Sequence, residues 1–135
     1  MVEINVSYQN DLRCQAVHGP SKATIHTDAP VDNRGKGESF SPTDLVATGL
    51  GSCMPTIMGM VAREHHIDLT GATVRVGKEM VADPFRRIGR LIVDIHVPID
   101  PGTDNRRRLE NGAHGCPAAR SLHPDIKLDV TFRWG

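Results

Sequence analysis

Polar and apolar residues alternate along Glu3-Ile4-Asn5-Val6-Ser7-Tyr8, the period of a half-buried strand whose successive side chains point to opposite faces. Gln9-Asn10-Asp11 supply turn residues, so a hairpin follows, with a second strand from Leu12 to Val17. His18-Gly19-Pro20 interrupts it, and Lys22 to Thr27 reads as a short third strand. Residues 28–41 hold so many turn formers and charges that they form a loop, and a loop of this length points to function.

The period changes at Ser41-Pro42-Thr43-Asp44. Ser41 can cap a helix, Pro42 suits the first helical position, and Asp44 completes a capping box with Asp in place of Glu. From Leu45 to Ile67 charges appear only at Arg63 and Glu64, so most faces of this helix need a protein cover, a second subunit included. Gly49, Gly51 and Gly59 weaken it by about 1 kcal/mol each relative to Ala but permit close backbone approach. Pro55 cannot donate to the Gly51 carbonyl, which predicts a kink or restart just after Cys53.

Strand-like alternation returns at Leu69 to Met80, Arg87 to Val97 and Lys127 to Trp134, with Pro84 and Arg86-Arg87 at the turn between the first two. Thr103 can cap a helix reaching about Gly112, and a short helix runs from Pro117 to Leu122. Strands, long helix, strands, helices and a last strand indicate a single α+β domain over residues 1–135 with an antiparallel sheet.

Composition narrows the function classes. Lys plus Arg and Asp plus Glu both number 16, so no net field draws the protein to nucleic acid or an anionic membrane. Arg106-Arg107-Arg108 lies among Asp100, Asp104 and Glu110 and reads as a solvated helix face. No apolar run is expected to reach the roughly 20 residues that cross a bilayer. Met1-Val2-Glu3-Ile4 lacks the features of a signal peptide, so the expected location is cytoplasmic. Cys14, Cys53 and Cys116 are too few for a disulfide framework and include no Cys-x-x-Cys pair.

Those cysteines are either small core residues or reactive thiols. A helix restarting at Pro55 would leave Cys53 near unpaired amides that favour thiolate, and Cys116, before Pro117, would also sit at a helix start. Two cysteines so placed suggest a nucleophile and its partner, whereas Cys14 on a strand reads as structural. A cation to hold the thiolate could come from Arg34, in the glycine-bearing loop, or from Arg13 on the second strand. His65-His66 and the group His114, Cys116 and His123 match no zinc spacing, so no metal is expected.

Ser41-Pro42-Thr43-Asp44-Leu45 leading through Gly49-Leu50-Gly51-Ser52 to Cys53, and Cys116-Pro117-Ala118-Ala119 before a final strand, resemble the OsmC/Ohr family of osmotically inducible and organic hydroperoxide resistance proteins. The resemblance implies an intertwined homodimer with long helices at its centre and active sites at the subunit interface. It also implies a thiol peroxidase for organic hydroperoxides, with hydrogen peroxide a further candidate, in which Cys53 is peroxidatic and Cys116 resolving. An external dithiol, a lipoyl protein or small thiol, would restore the enzyme, and no cofactor is required. Thr43 stands where peroxidases of this family carry a glutamate that orients the catalytic arginine, which places the chain in a general OsmC-like branch. Glu38 or Asp44 could take over that task, with Arg34 preferred over Arg13 as the arginine. A different class of reading keeps the scaffold as a binding module, holding a small hydrophobic ligand near Phe40 and Met54. A third uses His114, Cys116 and His123 to store or sense metal.

Overall fold

In the computed structural model, which describes residues 1–135, the opening alternation forms β1 (Ile4–Asn10), β2 (Arg13–His18) and β3 (Thr24–Asp28), an antiparallel sheet in that order. Asn10, Asp11 and Leu12 take positive φ at the tight turn, where the Leu12 amide donates to the Tyr8 hydroxyl. The register puts Ile4, Val6 and Tyr8 with Cys14, Ala16 and Ile25 on one face. Arg13, Gln15, His26 and Asp28 share the other. The long loop then contains one 3-10 turn at Val31–Asn33.

Residues 1–46 make one compact unit and residues 47–135 a second. In the first, the only buried residues are polar, Asp28 and Ser41. Its apolar face stays open, with Ile4, Val6, Tyr8 and Ile25 all exposed.

Helix α1 (Pro42–Glu64) begins as the residues dictate. The Asp44 amide donates to Ser41 Oγ at 3.1 Å, and Asp44 Oδ2 accepts from the Ser41 amide at 2.9 Å, a reciprocal capping box. The predicted break at Pro55 does not occur, and the helix runs unbroken through it. Thr56 Oγ1 donates to the Ser52 carbonyl at 2.7 Å and Ser52 Oγ to that of Gly49, side-chain bonds that support the turn Pro55 weakens. At 23 residues α1 also corrects the expectation that no apolar segment is long enough to cross a bilayer. Its stripe Ala47, Leu50, Met54, Met58 and Ala62 is nevertheless a core face.

That stripe packs with the inward residues of β5 (Arg87–Val97), namely Ile88, Leu91, Val93, Ile95 and Val97. β4 (Thr73–Val81) pairs antiparallel with β5, but β6 (Lys127–Trp134) pairs with β5 in parallel. The second sheet is therefore mixed, not wholly antiparallel as expected. A parallel pair needs a crossover, and α2 (Thr103–His114) with α3 (Pro117–Arg120) supplies it. Gly102, with φ 91°, occupies the cap position expected of Thr103. Two glycines set the packing distances. A Cβ on Gly51 would lie 2.4 Å from Val76 Cγ2, and one on Gly112 3.2 Å from Val61 Cγ2.

Candidate active site

Cys53 lies in the interior of α1, half-buried against the core, so the amide field expected from a helix restart is absent. What accompanies it is a second sulfur. Cys116 is fully buried and its thiol is within hydrogen-bonding reach of Cys53. Cys53 precedes the buried Met54 on α1 and packs, partly buried, against the same core. Cys116 arrives as the N-cap of α3, where Pro117 opens the helix and Cys116 Sγ accepts from the Ala119 amide at 3.4 Å.

The surroundings of Cys116 set its ionisation. Burial pushes the Cys116 pKa up, the Ala119 amide pulls it part of the way back, and the hydrogen bond and charge of Cys53 raise it again. Cys116 therefore stays protonated at neutral pH. All three cysteines are free.

In the unit of residues 1–46 a charged cluster forms on the polar face of the first sheet. Arg13 and Asp28 are directly opposed in the β2–β3 register. Arg13 Nη2 reaches Asp28 Oδ2 at 3.4 Å and Glu38 Oε2 at 2.8 Å, and the Glu38 amide donates to Asp28 Oδ2 at 2.9 Å. That amide, aided by the guanidinium, holds the Asp28 carboxyl below the usual range despite burial. Asp28 and Glu38 in turn raise Arg13 further above an already high value. A cleft of about 230 Å³ opens here, lined by Gln9, Arg13, His26, Asp28, Glu38 and Ser39 among others.

The OsmC-like protein family matches residues 35–131. This chain belongs to the OsmC-like family.

Among solved structures, this OsmC-like chain is similar to a candidate osmotic stress induced and detoxification response protein from Psychrobacter arcticus. The two are 47% identical over 98% of this chain and 96% of that one, with a TM-score of 0.93. The organic hydroperoxide resistance protein OsmC of Legionella pneumophila shares the fold at 15% identity, over 98% and 96% of the two chains, with a TM-score of 0.79. OhrB of Bacillus subtilis, an organic hydroperoxide resistance protein, shares it at 15% identity and TM-score 0.70, over 98% of each chain. No curated protein matches the chain.

The other residues singled out in this OsmC-like sequence fall in varied settings. Arg34 is exposed in the left-handed conformation that closes the 3-10 turn, φ 70°, and the arginine gripped by carboxylates is Arg13. Asp44 is engaged in the capping box, so one carboxylate oxygen serves the helix start. Phe40 is exposed, beside Glu38, Ser39 and Asp44 in a shallow depression. Met54 is wholly buried in the core, which corrects its assignment to an open ligand cleft. His114 is exposed and packs edge-on against Phe132 at 5.6 Å, and no cluster of three potential metal ligands forms around it. Asp28 was absent from the sequence-based site. Its signal was the hairpin register that opposes it to Arg13.

Proposed function

We propose that this protein is a thiol peroxidase that reduces organic hydroperoxides through a cycle between Cys53 and Cys116. The observation that carries the reading is the pairing of a half-buried thiol with a fully buried one whose pKa is raised first by burial and then by its neighbour. Membership of a family that includes organic hydroperoxide resistance proteins, and similarity to a candidate osmotic stress induced and detoxification response protein, agree with a role in redox stress.

In this cycle the Cys53 thiolate attacks the distal peroxide oxygen. An S–O bond forms, the O–O bond breaks, and the alkoxide leaves as an alcohol after taking a proton. Cys116 then attacks the Cys53 sulfenic acid, forming the S–S bond and releasing water. An external dithiol reduces that disulfide and is itself oxidised, so the peroxide is reduced by two electrons overall. Burial protects Cys116 from peroxide and leaves its proton in place until it is needed. Within the unit of residues 1–46, Asp28 and Glu38 fix the direction of Arg13, whereas Arg34 lacks such a grip. Glu38 replaces the glutamate that Thr43 does not supply.

The active form is a homodimer. A three-stranded sheet whose unit buries no apolar side chain cannot be stable alone. A second copy of the chain over Ile4, Val6, Tyr8 and Ile25, and over the exposed Val46 and Met60 of α1, meets that need. Three free cysteines fit a reducing compartment such as the cytoplasm.

Cumene hydroperoxide consumption with dithiothreitol as reductant tests the reading. Cys53→Ser abolishes turnover, and Cys116→Ser gives a single turnover ending in a sulfenic acid that dimedone traps. Serine is itself a good N-cap, so the second variant keeps α3. Undiminished consumption by Cys53→Ser would rule the proposal out.

A further inference from the structure

Leu91, Val93, Ile95 and Val97 turn one face of β5 to the core, so the alternate residues of β4, β5 and β6 share the opposite face of the second sheet. Charge is unevenly distributed over that face. At one end Arg90 is held by two carboxylates, Glu79 and Asp129. At the other end the balance reverses. Arg75 Nη1 meets Asp94 Oδ2, directly opposed to it across β4 and β5, at 3.1 Å, while Arg133 stands in no ion pair. Two positive charges against one negative leave this end with an unanswered guanidinium.

A depression of about 430 Å³ opens at that end, lined by Thr73, Arg75, Asp94, Thr131 and Arg133 among others. All of them belong to the unit of residues 47–135. The register explains why they meet. Thr73 and Arg133 flank His96 of the central strand, and Arg75 and Thr131 flank Asp94 one two-residue step away. Arg75 and Arg133 therefore rise from the two strands on either side of β5, about 9–10 Å apart across the sheet, and both side chains can lean over the central strand toward one point. Asp94 engages only Nη1 of Arg75, which leaves Nε and Nη2 as donors, and the whole Arg133 fork is available.

This donor set selects among anions. A carboxylate has two oxygens, which one guanidinium fork satisfies. A phosphate group has three, with a charge of about −1.5 to −2 at neutral pH, and can accept from both arginines and from the Thr73 and Thr131 hydroxyls together. The depression is larger than a bare phosphate. In the neighbouring row of the same face Ile92, half-buried, is opposed to Gly77 and offers an apolar seat for an organic group.

We propose that the outer face of the second sheet binds an organic phosphate monoester, held between Arg75 and Arg133 across β5 with the Thr73 and Thr131 hydroxyls as further donors. The site is separate from the thiol pair and does not depend on the peroxidase reading.

Titration of the full chain with phenyl phosphate and with inorganic phosphate, followed by proton–nitrogen NMR, tests this. Phenyl phosphate gives saturable shifts at the Thr73 and Thr131 amides and at the Nε–H groups of Arg75 and Arg133, and it binds several-fold more tightly than inorganic phosphate. Arg133→Ala weakens phenyl phosphate by about 10-fold or more, the loss expected of a charged hydrogen-bonding partner. Arg133→Lys, which keeps the charge and loses the fork, restores only part of the affinity. Arg133 is exposed, so both variants keep the wild-type melting temperature and the wild-type rate of cumene hydroperoxide consumption. Shifts that do not saturate, or an Arg133→Ala protein with undiminished affinity, overturn the inference. Equal affinity for the two probes overturns the assignment of an ester.

Discussion

At the scale of single residues, the two half-turns that matter most are held by side chain to backbone exchange. Ser41 and Asp44 satisfy each other's amides at the start of α1, and Ser41 is buried as it does so. Ser41→Ala should cost about 1–2 kcal/mol, read from urea unfolding, because it removes the cap to which the Asp44 amide donates. The two thiols should differ in the reduced protein. Iodoacetamide followed by mass spectrometry should find Cys53 alkylated well before Cys116, since the first is half-buried and the second has no exposed surface. With its pKa raised above the ordinary 9.0, Cys116 adds no pH dependence to stability below that value. As pH rises past it the unfolded thiol ionises first, and folding weakens. Cys53 and Cys116 were singled out in the sequence by Pro55 and Pro117; the break expected at Pro55 is absent, whereas Pro117 does open α3 with Cys116 as its cap. Asp28 was not singled out, because nothing local distinguishes it from any acidic residue at the end of a strand.

At the scale of elements, hydrophobic periodicity was a good guide to where helices and strands lie and a poor guide to how they join. Both β5 and β6 occupy the residues the alternation predicts. The parallel pairing between them was not drawn from it, although two intervening helices are what a crossover requires. Pro55 misled in the opposite direction. Propensity weighs one lost hydrogen bond, whereas α1 is held by the buried stripe from Ala47 to Ala62, which outweighs it. Packing of α1 on the second sheet leaves no room at Gly51. Gly51→Ala should therefore destabilise by about 1–3 kcal/mol in thermal or urea unfolding, in spite of the better helix propensity of alanine. Leu91→Ala, at a fully buried β5 position, should cost about 2–5 kcal/mol in the same assay.

At the scale of the whole molecule, the open apolar face of the first sheet and the exposed residues of α1 predict association. On the homodimer proposed above, Val6→Asp should shift the protein from dimer to monomer in analytical ultracentrifugation and lower its melting temperature, since Val6 is exposed in the isolated chain and has no apolar core to lose. Acid should weaken the fold for a separate reason. Asp28, Asp68 and Asp100 all have pKa values depressed from 3.8, by the Glu38 amide, Thr70 and Arg106 respectively. Their stabilisation is complete above that value and is lost as pH falls below it, because the unfolded chain then binds the protons first. A melting temperature that holds steady from pH 5 down to pH 2.5 would contradict this.

The order of residues was sufficient for the helix start at Ser41, the strand periods, the placing of two cysteines beside helix-forming segments and the resemblance to a family. These are local signals, carried by side-chain chemistry over a few neighbouring positions. Tertiary structure alone decided that Cys116 lies beside Cys53, that Pro55 leaves α1 whole, and that Asp28 faces Arg13. Each depends on residues far apart in the chain being brought together by burial and strand register, energies that no short window of sequence contains.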